Sequence, residues 1–287
     1  MALVEREGEI IAAMPYYIKR KFGLTLLTSP PLTQTLGPWL TPSAAKYAQA
    51  LGQQKDLMYA LIGQLPRFDY FSHSWHHSIT NWLPFYWRGF GQMTYYTYIL
   101  PNLSDGKQLW NNFQGNIRRD RRKAENRFGL SVKDDRGLDA FLRLNRMTFQ
   151  RQGFKLPYKE EIVRRIDATC ADRHCRKIWI AEDAEGRPHA GVYIVWDDES
   201  AYYLMGGADP ELRNSGATSL CMWQAIRHAA TVTQRFDFEG SMIEPVERFF
   251  RGFGATQVPY FHVVKTSSFL LRMREALIHA LKTTNVI

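Results

Sequence analysis

FYWRGFGQMTYYTYIL, residues 85–100, is echoed late in the chain by FFRGFGATQVPYFHVV, residues 249–264. Each writes Arg-Gly-Phe-Gly and then a run rich in Tyr, Thr or Val, which reads as a glycine-closed helix end followed by a strand. Four shared residues are weak evidence alone, so the neighbouring sequence decides. RFDYFSHSW (67–75) matches RFDFEGSMI (235–243), both Arg-Phe-Asp-aromatic running into polar loop residues. EGEIIAAMPYYI (7–18) matches EGRPHAGVYIV (185–195), a Glu-Gly turn opening a strand. Three blocks recur in one order, 7 to 185, 67 to 235 and 88 to 251, with small differences in loop length. That is the mark of a duplicated domain.

Between the blocks each copy carries a helix. Asn214–Ala230 spaces Leu220, Trp223, Ile226 and Ala230 by three and four residues. In the first copy Thr41-Pro42 reads as an N-cap with proline in the first turn, opening a helix to about Gln64. The join, DGKQLWNNFQGNIRRDRRKAENRFG (105–129), reads as one basic helix. Trp110, Phe113, Ile117, Ala124 and Phe128 form its apolar stripe, and Arg118, Arg119, Arg121, Arg122 and Lys123 its remaining surface. The second copy then gains a strand at Leu130-Ser131-Val132, two helices in 137–153 and 159–171, and a strand at CRKIWIAED. The first copy has almost nothing ahead of its Glu-Gly turn. The expectation is a late start of the chain rather than loss of those elements, and the predicted division is 1–104, 105–129 and 130–287.

Composition bounds the function. At 45% hydrophobic and 14% aromatic residues, the chain has enough apolar matter for a real core in each of two domains. Cys170, Cys175 and Cys221 form no CxxC pair and read as reduced, cytoplasmic thiols rather than a disulfide frame or zinc site. MALVEREGEIIAAMP is too acidic for a signal peptide, and no apolar run is long enough to span a bilayer. A net charge of +9 points to an anionic partner: nucleic acid, a phosphate-bearing cofactor or a membrane face. His73, His76 and His77 lack acidic or cysteine partners at ligand spacing, so no metal is expected.

The order strand, two helices, hairpin, strand, helix, strand, helix, strand resembles the GNAT acyltransferase fold. Two such units around a basic stretch resemble the FemABX-like peptidyltransferases and Fem-related acetyltransferases. The residues that carry this are GADPELRNSGATSLCMWQAIRHA (207–229), RFDFEGS (235–241), VERFFRGFGATQVPY (246–260) and NIRRDRRKAE (116–125). The resemblance implies an α/β (α+β) chain of two tandem GNAT-like domains, each a twisted mixed sheet flanked by helices, the first incomplete. It implies an acyltransferase acting on an amine, with acyl-CoA (acetyl-CoA) or aminoacyl-tRNA as donor and no metal. A peptidoglycan or polysaccharide precursor, a tRNA and a peripheral membrane contact are the implied partners. The alternative is a GNAT-fold binding protein without catalysis.

Arg213-Asn214-Ser215-Gly216-Ala217-Thr218 stands where the GNAT pattern holds a pyrophosphate. The unpaired N–H groups of a helix's first turn attract anions, and Gly216 permits close approach. Thr218 departs from the small residue of that pattern. Met205 lies on the preceding strand, whose edge would pair with a pantetheine arm. The counterpart TQTLGPWL (33–40) keeps Gln34 and Gly37, but Pro38 has no N–H and Trp39 is bulky, so that copy is expected to hold the acceptor or to buttress. Attack by an amine needs a base. Glu239, with Ser241, is the expected carboxylate site at the end of RFDFEGS, either active or paired with Arg248 or Arg251. Tyr260 is the expected proton donor to the leaving group, and Arg248 and Arg251 are expected substrate contacts. SSFLLRMREALIHALKTT (267–284) reads as a basic amphipathic helix packed on the domain.

Overall fold

The computed structural model describes residues 1–274, so residues 275–284 of the expected terminal helix lie outside the described residues. The chain forms two compact units, residues 1–95 with 259–287, and residues 96–258. This differs from the division expected at 104 and 130, and strand pairing is the reason. The segments that follow the two Arg-Gly-Phe-Gly sites are β7 (Gly91–Leu100) and β13 (Thr256–Thr266). Residues 99–100 of β7 pair with β12 (Arg235–Asp237), the central strand of the second copy, through Phe236↔Leu100 and Asp237↔Ile99. Residues 262–266 of β13 pair with β6 (Tyr70–Ser74), the matching strand of the first copy. Each copy's last strand is therefore found in the sheet of the other.

In the unit of residues 1–95 and 259–287, β1 (Ala2–Arg6) and β2 (Glu9–Met14) form a hairpin across Glu7-Gly8, and β5 (Trp39–Leu40) adds to β2. Pro15 has no N–H to give a ladder, and the strand resumes beyond it as β3 (Tyr17–Lys21), which pairs with β4 (Leu24–Thr28). β4 lies parallel to β6, and a parallel pair needs a crossover, here supplied by α1 (Tyr47–Gly63). The helix starts later than Thr41-Pro42 predicts. Thr41 N–H is already spent on Ile11 O at 2.9 Å, and Ser43 Oγ turns the chain by accepting from Ala45 N. The short α2 (Leu83–Tyr86) completes the unit. Phe71, Trp75, Phe85 and Phe90 fill the core, with Trp75 and Phe85 edge to face at 4.8 Å.

In the unit of residues 96–258 the sheet runs β7, β12, β11 (Ser200–Ala208), β10 (Pro188–Trp196), β9 (Arg176–Glu182) and β8 (Ser131–Lys133). β11 and β12 are parallel and joined through α7 (Ala217–Val232), while the other pairs are antiparallel. Period-two alternation along β10 assigns its two faces. Ala190, Val192 and Ile194 share the cluster of α7 residues Leu220, Cys221, Ala225 and Ile226. Gly191 and Tyr193 face α5 (Gly137–Arg151), where Phe141 stands edge-on to Tyr193. α6 (Glu160–Asp172) packs beside α5.

The expected single linker helix is two: α3 (Gly106–Asn112), capped by Asp105, and α4 (Gly115–Asn126). The break falls where Gln114 N–H bonds to Gly252 O at 2.8 Å, a partner that a continuous helix would have denied it. Trp110, Phe113, Ile117 and Ala124 keep the apolar stripe and pack around Trp223 and Phe253, whereas Phe128 falls outside it and is exposed. The segment 105–129 is thus a layer of this unit rather than a free connector. α8 (Glu244–Arg251) leads from β12 towards β13.

The pairing of β12 predicts a stability effect. Phe236 is fully buried beside the β7 register, so Phe236→Ala should cost about 3–5 kcal/mol. Urea unfolding of the two proteins measures it, and a loss below about 1 kcal/mol would contradict this account of the core.

Candidate functional site

β12 is three residues long, and the chain turns hard as it ends. Phe238 N–H extends the pairing once more, to Tyr98 O at 2.9 Å. Glu239 and Gly240 then both take left-handed backbone, φ 57° and 67°. Gly240 is required there: a Cβ would stand 2.1 Å from Tyr96 O and 2.6 Å from Thr97 Cα. The strained turn presents Glu239 at the strand end. Asp237, 5% exposed, accepts from Thr97 Oγ1 and, at 2.7 Å, from Glu239 N–H. Burial, and secondarily the Asp237 charge, push the Glu239 carboxyl well above the ordinary glutamate range.

Of the two arginines expected to pair with Glu239, Arg251 is engaged elsewhere, bonding Glu247 at 2.9 Å. Glu247 also accepts Tyr98 OH at 2.7 Å, and Gln257 Nε2 donates to that hydroxyl at 2.6 Å. The Tyr98 hydroxyl bond, then that of Arg251, hold the Glu247 carboxyl below its usual range. Arg248 is exposed on α8, and no ion pair joins it to Glu239 among the described residues. Ser241 Oγ accepts from Ile243 N–H at 3.0 Å, a local turn that starts α8.

At the head of α7, where the anion cradle is expected, the chain packs partly against α4. Arg213–Ser215 form a single 3-10 turn, with Arg213 and Asn214 exposed and Ser215, Gly216 and Ala217 buried. Gly216, at φ 84°, lies so close to α4 that a Cβ would meet Asp120 O at 2.1 Å. Glycine is thus needed at 216 for the close approach of the α4 backbone. Thr218 is part-buried in the first turn. Met205 is buried, and the strand edge beside it is partly used by α5: Asn145 Nδ2 donates to Gly206 O at 2.7 Å and Ala208 N donates to Thr148 Oγ1 at 2.9 Å.

Tyr260 belongs to the unit of residues 1–95 and 259–287, while Glu239 and Ser241 belong to 96–258. It is buried, receives Gln34 Nε2 at 3.0 Å and meets the Tyr95 ring edge to face. In that same unit the loop of Gly37, Pro38 and Trp39 lines a cavity of about 470 Å³ with Met58, His76 and Asn81. Sequence reasoning passed over Asp237 and Thr97. The available signal was the Arg-Phe-Asp that both copies spell, since the counterpart Asp69 likewise accepts a backbone N–H, from Thr25 at 2.8 Å. Among the described residues, no group of three or more His, Cys, Asp or Glu is placed to hold a metal.

Residues 111–251 match the family model described as the Acetyltransferase (GNAT) domain. Among solved structures, "Crystal structure of FemX" is similar at 14% identity and TM-score 0.63, over 90% of this chain and 86% of that one. The C-terminal domain of a putative lysylphosphatidylglycerol synthetase from Agrobacterium fabrum follows at 9% identity and TM-score 0.56, over 94% and 85%. A tandem GNAT protein from the clavulanic acid biosynthesis pathway aligns at 10% identity and TM-score 0.52, over 93% and 82%. No curated protein matches the sequence. The fold is that of the GNAT acyltransferases. More narrowly, it is the Fem-like arrangement, with an acetyltransferase-type domain at 111–251.

Two outcomes test the geometry. Folding raises the Glu239 pKa, so the folded state favours the protonated acid: stability is fully present below the ordinary carboxyl value and is lost as pH rises through the folded one. Glu239→Gln should therefore raise the melting temperature near neutral pH, with the gain vanishing below about pH 4.3. Gly186 and Gly216 both have positive φ, yet only Gly216 meets a backbone oxygen. Gly186→Ala should cost about 1 kcal/mol and Gly216→Ala clearly more, read as thermal shifts under one condition.

Proposed function

We propose that the protein is an N-acyltransferase in which Glu239 takes the proton from an attacking amine. The supporting observation is the Glu239 carboxyl itself, lifted in pKa by burial and Asp237, at the end of the central strand, with no arginine paired to it among the described residues. A base of raised pKa is matched to an amine nucleophile near neutral pH, where it accepts a proton more readily than an ordinary carboxylate. Thr97 and the Glu239 amide hold Asp237 in place, and Asp237 in turn keeps Glu239 basic.

The donor is an aminoacyl-tRNA in this reading rather than acyl-CoA. Two observations support this choice: Gly216 packs against the Asp120 carbonyl, and Asn145 and Thr148 of α5 bond to the β11 backbone at Gly206 and Ala208. α4 meanwhile offers a cationic face. Arg121 is paired to Glu125 and Lys123 to Asp120, but no ion pair engages Arg118, Arg119 or Arg122 among the described residues. Guanidinium groups so placed suit a phosphate backbone. The acceptor is an amine on a cell-wall or exopolysaccharide precursor, as the likeness to FemX supports.

Titration calorimetry with acetyl-CoA should give no heat, while a charged tRNA should bind with an affinity that falls as salt rises. Arg119→Glu with Arg122→Glu should lower tRNA affinity about tenfold or more. In single-turnover transfer assays Glu239→Gln should slow acyl transfer by about 10²–10⁴-fold with tRNA affinity unchanged. Unchanged transfer by Glu239→Gln would remove the catalytic assignment, and tight acetyl-CoA binding would reverse the choice of donor.

A further inference from the structure

The hairpin of β3 and β4 ends in Lys21-Phe22-Gly23-Leu24, with Phe22 at φ 53° and Gly23 at φ 74°. Two successive left-handed residues are the signature of the hairpin turn that favours Asn-Gly or Asp-Gly. A phenylalanine there is strained, and bulky residues avoid this region. No burial offsets the strain: Phe22 is 89% exposed, with Lys21 Nζ 5.0 Å from its ring centroid. β3 behind it is exposed at every residue and reads Tyr17-Ile18-Lys19-Arg20-Lys21. Lysines on an edge strand ordinarily guard it against pairing with other strands. That accounts for the charges but not for exposing Ile18 and Phe22.

A second segment of the same composition lies alongside. Asp69 joins the two: its carboxylate takes Thr25 N–H at 2.8 Å, and its carbonyl takes Ser267 and Ser268 N–H at 2.8 and 3.1 Å. Beyond Ser268 the chain exposes Phe269 (67%), Leu270 (75%) and Met273, interspersed with Arg272 and Arg274. A groove of about 310 Å³ lies between the segments, lined by Lys21, Phe22, Leu271 and Arg274. Residues 16–24 and 265–274 together hold six lysines and arginines and no acidic residue. Among the described residues, Asp69 is an acidic side chain bonded at this surface, accepting Thr25 N–H.

Exposed aromatic and aliphatic side chains within a field of fixed positive charge match one partner chemistry, an anionic lipid surface. We infer that this face of the unit of residues 1–95 and 259–287 docks on anionic membranes. Phe22, Phe269 and Leu270 enter the headgroup boundary, and Lys19, Arg20, Lys21, Arg272 and Arg274 meet lipid phosphates. The surface lies outside the candidate site and stands whether or not the acyltransferase reading does.

The test is co-sedimentation of the full chain with vesicles of phosphatidylcholine alone, or with part of it replaced by phosphatidylglycerol. The chain should sediment with the anionic vesicles and stay in solution with the neutral ones, and added salt should weaken binding. Phe22→Asn fits the turn better than the native residue and should leave the melting temperature unchanged or higher, yet reduce vesicle binding about tenfold. Lys19→Gln with Arg20→Gln should do likewise. No partition of the native chain into anionic vesicles, or equal partition of Phe22→Asn, overturns the inference. So does a self-association in ultracentrifugation that Phe22→Asn abolishes, which would give the face to a second copy of the chain.

Discussion

β12 is only three residues long and lies inside the sheet, so its place depends on the neighbours that pair with it along both edges. On one side it lies parallel to β11, which commits the chain to the long crossover through α7. On the other it takes β7, a strand from the far end of the first copy. Where these ladders stop, the backbone is free to turn, and the left-handed pair Glu239-Gly240 uses that freedom at once. The placement of the candidate base is thus a result of how little of β12 is paired.

The two copies follow a similar plan, and their backbones differ at particular residues. Pro15 divides in the first copy what is a single strand, β10, in the second. Gly37 and Gly216 occupy matching turns, yet one loop borders a cavity while the other is filled by the α4 main chain. Both glycines are buried, yet a Cβ at Gly37 would meet the Ile79 and Trp75 side chains and one at Gly216 the Asp120 carbonyl, so the equivalent turns differ in what covers them. Residue type does not set this; the neighbour packed against the glycine does.

The locally determined parts of this architecture were legible in the sequence. The Glu-Gly turns at 7–8 and 185–186, the helices over 137–151 and 160–172, and the duplication itself follow from short-range signals. The helix start at Thr41 misled because the N–H of that residue bonds to Ile11, thirty residues away. The linker break at Gln114 likewise depends on Gly252. The exchange of last strands was illegible for a sharper reason: β7 and β13 follow the same four residues and carry similar side chains, so pattern alone does not tell which sheet takes which. At the candidate site Glu239 could be read from its position, but its raised pKa depends on burial and then on Asp237, which is held by Thr97 from 140 residues earlier in the chain.

The exchange of strands bears on biosynthesis. β6 acquires β13 only when residues 262–266 have been made, so β6 lacks this neighbour during the synthesis of the intervening residues. Closure across almost two hundred residues is entropically costly and slow, and an unpaired edge invites intermolecular pairing in the interval. Vectorial synthesis would thus leave the unit begun at residue 1 as a client for chaperones until the arrival of β13 lets its sheet close.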